Sequence, residues 1–300
     1  MSIEVKNVFK YYGEQAALNG VSLSINSGEI VGFLGPNGAG KSTMMKIITC
    51  FIPKSSGEVS VCGLDVEEEA MAVKKLVGYL PEHNPLYLDM YVKEYLTFVG
   101  GVYKIKNKKD RVKEMIDMVG LEKEQNKKIG ALSKGYRQRV GLAQAIIHDP
   151  EVLILDEPTS GLDPNQLVDI RELILDIGKT KTVMLSTHIM QEVEAICDRV
   201  IIIKDGSIVA DDTTKGIQQK EVAKQTIFVE FQEYVSKNQL KKVSGLTEAK
   251  HIKDNQWLLE SSGDIRANIA KWAQDNFVLV LTMRLEEKSM EEVFKELTKN

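Results

Sequence analysis

A glycine-rich loop between a short apolar run and a helical pattern constrains the fold of this chain more than any other feature. Residues 35–43 read Gly-Pro-Asn-Gly-Ala-Gly-Lys-Ser-Thr and match the pattern G-x-x-x-x-G-K-[ST]. Glycine lets the backbone curl until several N–H groups converge on phosphate oxygens. The apolar run 30–34 predicts a buried strand before the loop. The helix after the loop directs its positive dipole end at the same point, so the loop predicts triphosphate binding in a parallel α/β fold.

The loop supplies a candidate catalytic group, a candidate metal ligand and a set of phosphate-binding residues. Lys41 provides a positive charge for the β- and γ-phosphates, and the Ser42 hydroxyl is a candidate ligand of Mg²⁺. The candidate ATP ligands of the loop are Gly35, Pro36, Asn37, Gly38, Ala39, Gly40, Lys41, Ser42 and Thr43. An accidental glycine-rich turn is the alternative, and the position between a predicted strand and a predicted helix argues against it.

Two acidic residues, Asp156 and Glu157, end a second apolar run. Open parallel sheets bind ligands at the carboxyl ends of their strands, so we expect both acids near the phosphate loop. Asp156 can hold Mg²⁺ directly or through water, and Glu157 can polarise an attacking water as a catalytic base. An ordinary strand that runs into an acidic loop is the alternative, and the phosphate loop upstream favours the functional interpretation.

Apolar runs alternate with helical patterns up to about residue 215, which predicts a parallel sheet with crossover helices. A further strand is predicted at 182–187. Pro164 opens a helix that Gly178 closes. The Asp-Gly pair at 205–206 predicts a type I′ hairpin between two short strands. The polar stretch 215–225 predicts a helical connector between two domains.

The tail beyond this connector predicts a small α+β domain. Its predicted elements are a strand at 226–231, a helix at 237–243, strands at 248–252 and 257–260, a helix at 264–274 capped by Asp264, a strand at 278–283 and a closing amphipathic helix with Met290, Val293, Phe294 and Leu297. The order β-α-β-β-α-β is typical of a ferredoxin-like domain.

Composition limits the partners and the compartment. The chain has 39 Lys plus Arg and 43 Asp plus Glu, a formal net charge of -4, so no nucleic-acid partner is expected. No apolar run approaches the roughly 18–20 residues that cross a bilayer, and the N-terminus lacks the apolar core of a signal peptide. The 3 cysteines are too few and too scattered for a disulfide framework or a zinc cluster, which favours a reducing compartment.

Five motifs give residues 1–215 a resemblance to the ATP-binding subunit of ABC transporters. They are GPNGAGKST (35–43), LSKGY (132–136), VLILDE (152–157), SGLD (160–163) and STH (186–188). The LSKGY segment is the most diagnostic, because other phosphate-loop NTPases lack a leucine-serine-x-glycine motif. The resemblance implies a P-loop NTPase cassette with a central parallel sheet, an antiparallel β subdomain and a helical subdomain at about 83–148. Residues 216–300 look like the regulatory C-terminal domain of some members.

The resemblance also implies a function and partners. The chain is expected to bind and hydrolyse ATP with Mg²⁺ and to drive transport through a separate integral membrane permease. A second ABC ATPase subunit, identical or homologous, is expected to complete a dimer. The subunit is then cytoplasmic and attached to the inner face of the cell membrane through its permease. Segments 79–96 and 132–139 look closer to the gliding-motility ABC ATPases of Bacteroidetes.

Three further ATP-binding residues follow from the resemblance at positions that face another subunit. Ser133 and Gly135 correspond to the family signature, which in a head-to-tail dimer binds the γ-phosphate held by the other subunit. A helix that begins at Ser133 presents free N–H groups and its dipole to an anion. A serine that merely caps this helix is the alternative. Asp163 corresponds to the loop that communicates across the dimer.

Two more residues correspond to family contacts with the nucleotide. His188 matches the switch histidine, which touches the γ-phosphate and the catalytic water, whereas a lone histidine is otherwise usually structural. Tyr12 matches the aromatic residue that stacks on adenine, and Tyr11 is its rival. Either tyrosine could instead pack on the sheet.

Two surface features have a functional and a structural interpretation. The basic cluster 104–113 is typical of a solvated helix face, with anionic lipid headgroups as the alternative. Four aromatic residues precede it, in the region where the family docks a short helix of the membrane subunit, namely Tyr87, Tyr91, Tyr95 and Phe98. Because their spacing equally fits core packing, we assign only one or two of them to an interface.

Two alternative functions compete with transport. A soluble ABC ATPase of ribosomes or DNA would be expected to carry two cassettes or a long coiled coil, and this chain has one phosphate loop and no heptad segment. A binding-only module with inactive sites would not need Lys41, Asp156, Glu157 and His188, all of which are present.

The chain departs from the family pattern at two positions. Glu82 stands where the family usually has the glutamine that links Mg²⁺ to the membrane partner, and it is retained here as a candidate metal ligand. Lys134 and Tyr136 replace the commoner glycine and glutamine of the signature, while Ser133 and Gly135 are kept. The γ-phosphate contacts of the signature can therefore survive, with an added positive charge at the dimer interface.

We predict that ATP hydrolysis depends more strongly on free Mg²⁺ in the natural protein than in a Glu82→Gln variant. An ionised glutamate only accepts hydrogen bonds and adds negative charge beside Asp156 and Glu157, whereas glutamine offers a neutral carbonyl oxygen. Titration of ATPase activity with Mg²⁺ at constant ATP measures the difference. Superimposable titration curves for the two proteins would contradict the prediction.

Overall fold

The computed structural model describes residues 1–220, 225–286 and 290–298, and the chain divides into two units. One unit comprises Met1–Thr214 with Leu297–Asn300, and the other comprises Lys215–Glu296. The predicted connector 215–225 begins in a helix, Thr214–Lys220. Its residues 221–224 lie outside the described residues.

The first unit contains alternating strands and helices. Its strands are β1 (Ile3–Tyr12), β2 (Gln15–Ile25), β3 (Ile30–Leu34), β4 (Ser56–Val61), β5 (Leu64–Asp65), β6 (Val77–Leu80), β7 (Val152–Asp156), β8 (Thr182–Ser186), β9 (Arg199–Lys204) and β10 (Ser207–Thr213). Its helices are α1 (Lys41–Ile48), α2 (Ala70–Leu76), α3 (Val92–Val102), α4 (Lys108–Met118), α5 (Lys134–Ile146), α6 (Pro164–Gly178) and α7 (Met190–Ile196). The next helix, α8 (Thr214–Lys220), begins at the boundary between the two units. A 3₁₀ turn spans Ile129–Ala131.

A six-stranded sheet places the carboxyl ends of three strands side by side. Its order is β10-β9-β3-β8-β7-β6, and the neighbours from β9 to β6 pair in parallel. Every residue of β3, β7 and β8 is buried, as expected for apolar strands of a parallel sheet covered on both faces. The prediction of a central parallel sheet is confirmed, and the loops that follow β3, β8 and β7 are neighbours.

A second, antiparallel sheet has the order β2-β1-β4-β5. Buried side chains from both sheets and from α1 form one apolar core that includes Ile3, Phe33, Met44 and Ile154. The predicted antiparallel β subdomain is therefore present. The hairpin between β9 and β10 is also as predicted, because Asp205 and Gly206 both have positive φ, 47° and 76°.

Helices α3, α4 and α5 form the predicted helical subdomain. Of the four aromatic residues noted in the sequence, only Tyr95 is buried, at 5% exposure. Tyr87, Tyr91 and Phe98 are 55%, 49% and 48% exposed, and the rings of Tyr87 and Phe98 lie 5.8 Å apart. Core packing therefore accounts for one of the four, and three remain at the surface. In the described part of the chain, no helix combines the length and the apolar character needed to span a bilayer.

The second unit is an antiparallel sheet with helices. Its elements are β11 (Gln225–Phe231), α9 (Lys237–Leu240), β12 (Leu246–Lys253), β13 (Gln256–Ser261), α10 (Arg266–Asp275), β14 (Val280–Glu286) and α11 (Met290–Thr298), the last of these up to Glu296. The sheet order is β12-β13-β11-β14 with antiparallel pairing throughout. The predicted β-α-β-β-α-β order is therefore present. Residues 287–289 and 299–300 lie outside the described residues.

Several element boundaries in this unit differ from the sequence prediction, and β12, for example, spans 246–253 rather than 248–252. The first helix ends at Leu240, and isolated turn hydrogen bonds continue to Val243. The last strand spans 280–286 rather than 278–283. Asp264 accepts the N–H of Arg266 but precedes the cap position, which Ile265 occupies. Element ends depend on local hydrogen bonds that apolar periodicity does not encode.

We predict that Leu259→Ala lowers the free energy of unfolding of the second unit by about 2–5 kcal/mol, because Leu259 is fully buried. Both tryptophans of the chain, Trp257 and Trp272, belong to the same core, so tryptophan fluorescence during denaturant unfolding reports on this unit. The control is Leu281→Ala, at a 57% exposed position, with an expected change within about 0.5 kcal/mol. Equal effects of the two substitutions would contradict the prediction.

Candidate functional site

The phosphate loop connects β3 to α1 in a conformation that requires glycine at two positions. A Cβ atom on Gly35 would collide with the carbonyl oxygen of Ile203 in β9. Gly40 has a φ of 108°, and a Cβ there would lie 2.6 Å from the carbonyl oxygen of Ala17. L side chains rarely adopt the φ of Gly40, and the Ile203 carbonyl leaves no room for a side chain at position 35, so each glycine has its own physical reason. The loop leaves the first N–H groups of α1 without intrahelical partners, as an anion site requires.

Lys41 lies folded over this loop. Its Nζ donates to the carbonyl oxygens of Gly35 at 2.6 Å and Pro36 at 3.2 Å, and the residue is buried. Burial lowers the pKa of Lys41, while the carboxylates of Glu157, Asp156 and Glu82 act in the opposite direction. The ammonium group therefore lies within the field of all three predicted acidic site residues.

Asp156 is the last residue of β7 and Glu157 follows it, and Ser186 of β8 connects the two. The Ser186 hydroxyl donates to Asp156 Oδ1 at 2.5 Å, and the same Oγ accepts the N–H of Glu157 at 3.2 Å. Burial and the Asp156 carboxylate raise the pKa of Tyr79 to about 12. Glu157 has a φ of 51°, in the left-handed region that non-glycine residues seldom occupy. The strained backbone and the serine bridge fix the direction of the Glu157 side chain.

His188 lies beside Glu157 at the end of β8. Its Nδ1 is 2.8 Å from Glu157 Oε2, and the imidazole donates this hydrogen bond in the tautomer that carries the proton on Nδ1. The imidazole is 63% exposed and the Glu157 side chain 11%. A carboxylate paired with an accessible imidazole can orient a water molecule and accept its proton.

The predicted metal ligands offer oxygen donors that fit Mg²⁺. Asp156 is buried, Ser42 is half-buried in the first turn of α1, and Glu82 follows β6, which pairs with β7. In residues 1–220, 225–286 and 290–298, no group of three or more His, Cys, Asp or Glu side chains could hold a metal alone. Mg²⁺ bound with ATP needs no such group, because it usually takes one or two carboxylates plus phosphate oxygens and water.

Ser133, Gly135 and Asp163 lie together at the starts of α5 and α6. The Ser133 hydroxyl accepts the N–H of residue 136 at 3.3 Å, and Asp163 Oδ1 accepts the N–H of Gln166 at 3.0 Å. Gln166 packs so close that a Cβ on Gly135 would lie 2.5 Å from its side chain. Both helix starts are therefore capped, and the start of α5 contacts α6, which follows the loop after Glu157.

Tyr11 and Tyr12 end β1 and are both exposed. The Tyr11 ring stacks on Phe9, with centroids 6.3 Å apart and planes 9° apart. The Tyr12 ring has the Lys10 ammonium 5.3 Å from its centroid. Tyr11 already has an aromatic partner, which leaves Tyr12 as the better candidate for stacking on a base.

The sequence motifs assign no role to four polar residues around the candidate catalytic pair, Glu157 and His188. They are Thr159, Ser186, Thr187 and Glu192, all buried. Ser186 and Thr187 belong to the STH motif, and that motif was the available signal for two of them. A hydroxyl in a motif does not reveal its hydrogen-bond partner. Ser186 pairs with Asp156 and Thr159 pairs with Glu192, and each of these hydrogen bonds joins residues about 30 positions apart in the sequence.

Comparisons with known proteins decide the family. The model of the family described as ABC transporter matches residues 18–160. The uncharacterized ABC transporter ATP-binding protein YxlF of Bacillus subtilis is 35% identical over 221 residues, which cover 73% of each chain. The chain belongs to the ABC transporter ATP-binding proteins. A second relative of this ABC subunit, the Nod factor export ATP-binding protein I of Burkholderia lata, is 34% identical over 73% of each chain.

Solved structures of ABC cassettes share the fold. The dimeric structure of the bacterial cassette MJ0796 is 30% identical with a TM-score of 0.65 and covers 70% of this chain and 98% of that chain. A post-hydrolysis state of the same cassette bound to ADP and Pi is 29% identical with the same TM-score and coverage. This chain is thus the ATP-binding subunit of an ABC transporter and an ATPase by family.

We predict that Ser186→Ala lowers the free energy of unfolding by about 1–3 kcal/mol. The substitution leaves the buried Asp156 oxygen without its serine donor. Denaturant unfolding followed by far-ultraviolet circular dichroism measures the change. Ser207→Ala is the control, because the Ser207 hydroxyl donates to Asn19 at the surface, and its effect is expected to be within about 0.5 kcal/mol. Equal stability of the Ser186→Ala variant and the natural protein would contradict the role of this hydroxyl.

Proposed function

We propose that two cassettes, either two copies of this chain or this chain and a homologue, enclose two Mg-ATP molecules and drive a separate membrane permease by closing. The observation that carries the proposal is the convergence of Lys41, Asp156 and the Glu157–His188 pair beside the phosphate loop. The likeness to a dimeric cassette and to its ADP- and Pi-bound state supports both the dimer and the hydrolysis.

Each side chain in the pocket has a proposed task. Lys41 leaves the carbonyl oxygens of its own loop and binds the β- and γ-phosphates. Glu157 accepts a proton from the attacking water, and His188 orients that water and contacts the γ-phosphate. Ser42, Asp156 and Glu82 are the proposed Mg²⁺ ligands, and the ion would neutralise phosphate charge.

The start of α5 is the proposed contact with the nucleotide of the other subunit. Ser133 is exposed there, and the helix dipole favours an anion. Lys134 is also exposed and packs against Gly161, so its ammonium adds positive charge to the same surface. Closure is then favoured because one γ-phosphate gains contacts from two subunits, and hydrolysis removes that gain.

The exposed aromatic residues of the helical subdomain are the proposed docking site of the permease. Tyr87, Tyr91 and Phe98 lie within 20 residues of Glu82, so a change at the metal site can reach them along a short segment. Exposed aromatic clusters are typical of protein interfaces. Attachment to a permease would hold the subunit at the cytoplasmic face of the membrane. Residues 216–300 are proposed as an accessory or regulatory domain.

A link to gliding motility stays a prediction that rests on segments 79–96 and 132–139. Deletion of the gene in the organism of origin, with gliding speed as the readout, tests it. Unchanged gliding would remove this assignment and leave the ATPase assignment intact.

We predict that Glu157→Gln lowers the ATP turnover number by about 100-fold or more, because the carboxylate that accepts the water proton is removed. ATP should then accumulate in the bound state and hold two protomers together. Sedimentation velocity with saturating Mg-ATP measures the dimer, and the natural protein with ADP is the monomeric reference.

The control is Glu122→Gln. Glu122 is exposed and distant from Glu157 in the sequence, so this variant should turn over ATP as the natural protein does. Only monomers of the Glu157→Gln variant under saturating ATP would contradict the dimer. Recovery of the tagged protein with ribosomes instead of a polytopic membrane protein would contradict the transport role while leaving ATP hydrolysis in place.

A further inference from the structure

A buried carboxylate that the proposed chemistry does not use lies behind the catalytic pair. Glu192, in the first turn of α7, is 1% exposed. Its Oε2 accepts two hydrogen bonds, from Thr159 Oγ1 at 2.5 Å and from Thr187 Oγ1 at 2.9 Å. Its Oε1 is buried without a hydrogen-bond partner.

The two threonines belong to the two loops that carry the catalytic pair. Thr159 follows Glu157 by two residues, and Thr187 directly precedes His188. Both are buried, at 2% and 0% exposure. The Thr187 hydroxyl also accepts the N–H of Ile189 at 3.1 Å, so it fixes the backbone on the far side of His188. One carboxylate oxygen thus connects the loop of the proposed base to the loop of its histidine partner.

Core stability alone does not favour a glutamate at this position. A buried carboxylate with one unpaired oxygen costs more than an apolar side chain of similar volume. The helix dipole offsets part of this cost, because Glu192 lies near the N-terminus of α7. What an apolar side chain could not supply is a single acceptor shared by two hydroxyl groups from different loops.

We propose that Glu192 is a positioning residue for ATP hydrolysis, which holds the Glu157 loop and the His188 loop at one fixed separation. The inference deepens the proposed function, since it assumes that Glu157 and His188 act together on the attacking water. The 2.8 Å contact between them joins an exposed imidazole to a residue with a strained backbone. Keeping these two side chains in contact requires that their loops stay in place, and Glu192 holds both loops through its hydrogen bonds with Thr159 and Thr187.

The test is a kinetic comparison of substitutions at position 192. Glu192→Met keeps the side-chain volume and removes the acceptor, so kcat for ATP should fall by about 100-fold, the effect of misplacing catalytic groups by about 1 Å. The dissociation constant for ATP should change less than about twofold, because the phosphate loop is untouched. Glu192→Gln retains a carbonyl oxygen that can accept both hydroxyl groups, and it should recover most of kcat. Glu194→Met, at an exposed position of the same helix, is the matched control and should retain full kcat.

The threonines provide an independent measurement that does not rely on the stability of the 192 variants. Thr159→Val and Thr187→Val each remove one donor and should each lower kcat. The double variant should lose less than the product of the two single effects, because the residues act through one acceptor. In a Glu157→Gln background, either valine substitution should leave ATP-dependent dimerisation intact.

The outcomes separate this inference from the function on which it rests. Full kcat in Glu192→Met, or in both threonine variants, would overturn the positioning role while the natural protein still hydrolyses ATP. A parallel loss of kcat, ATP affinity and thermal stability that Glu192→Gln does not relieve would also overturn it, since that is the pattern of a purely structural residue. Absence of ATP hydrolysis in the natural protein would instead contradict the proposed function itself.

Discussion

Parallel hydrogen bonding of β3, β8 and β7 is the constraint on which the site depends. Each of these strands is short, apolar and buried. The phosphate loop follows β3, the STH motif lies at the end of β8, and the Asp-Glu pair lies at the end of β7. Because the strands are neighbours and run in the same direction, the phosphate loop, the STH motif and the Asp-Glu pair emerge at one edge of the sheet. Residues separated by more than 100 positions along the chain therefore share one site, and the pairing of the strands is what brings them together.

Because the three strand ends are neighbours, the positive charge of Lys41 lies close to the acidic residues of the pocket. Lys41 is buried, the charges of three carboxylates act on it, and its ammonium donates to the carbonyl oxygens of its own loop. An arriving triphosphate would compete with those oxygens for the same cation. The pocket therefore combines a cation and backbone N–H groups, the proposed phosphate ligands, with the acids proposed for the metal and for the water. Ser186 contacts both acidic residues in different ways. Its hydroxyl donates a hydrogen bond to the Asp156 carboxylate, and its oxygen accepts one from the backbone N–H of Glu157.

The sequence predicted most of the fold because its signals were local. Helix α6 begins at Pro164 and ends at Gly178 as expected, and the Asp-Gly pair forms the expected hairpin. The loop residues and the acids were found because their motifs are contiguous. Glu192 was not found, since a glutamate on a short helix is typical of a solvated face. Its burial depends on where α7 packs, and neither periodicity nor composition encodes that position. Tyr95 was indistinguishable from its exposed aromatic neighbours for the same reason.

The left-handed backbone of Glu157 has a consequence for how this chain can change. Glycine or asparagine would relax that conformation, so replacing the glutamate by either one is expected to gain stability through backbone relief. The same replacement removes the carboxylate beside His188. With Glu157 as the proposed catalytic base, thermal stability and turnover favour different residues at this position, and a laboratory selection for heat resistance alone is then expected to yield a nucleotide-binding protein with little ATPase activity.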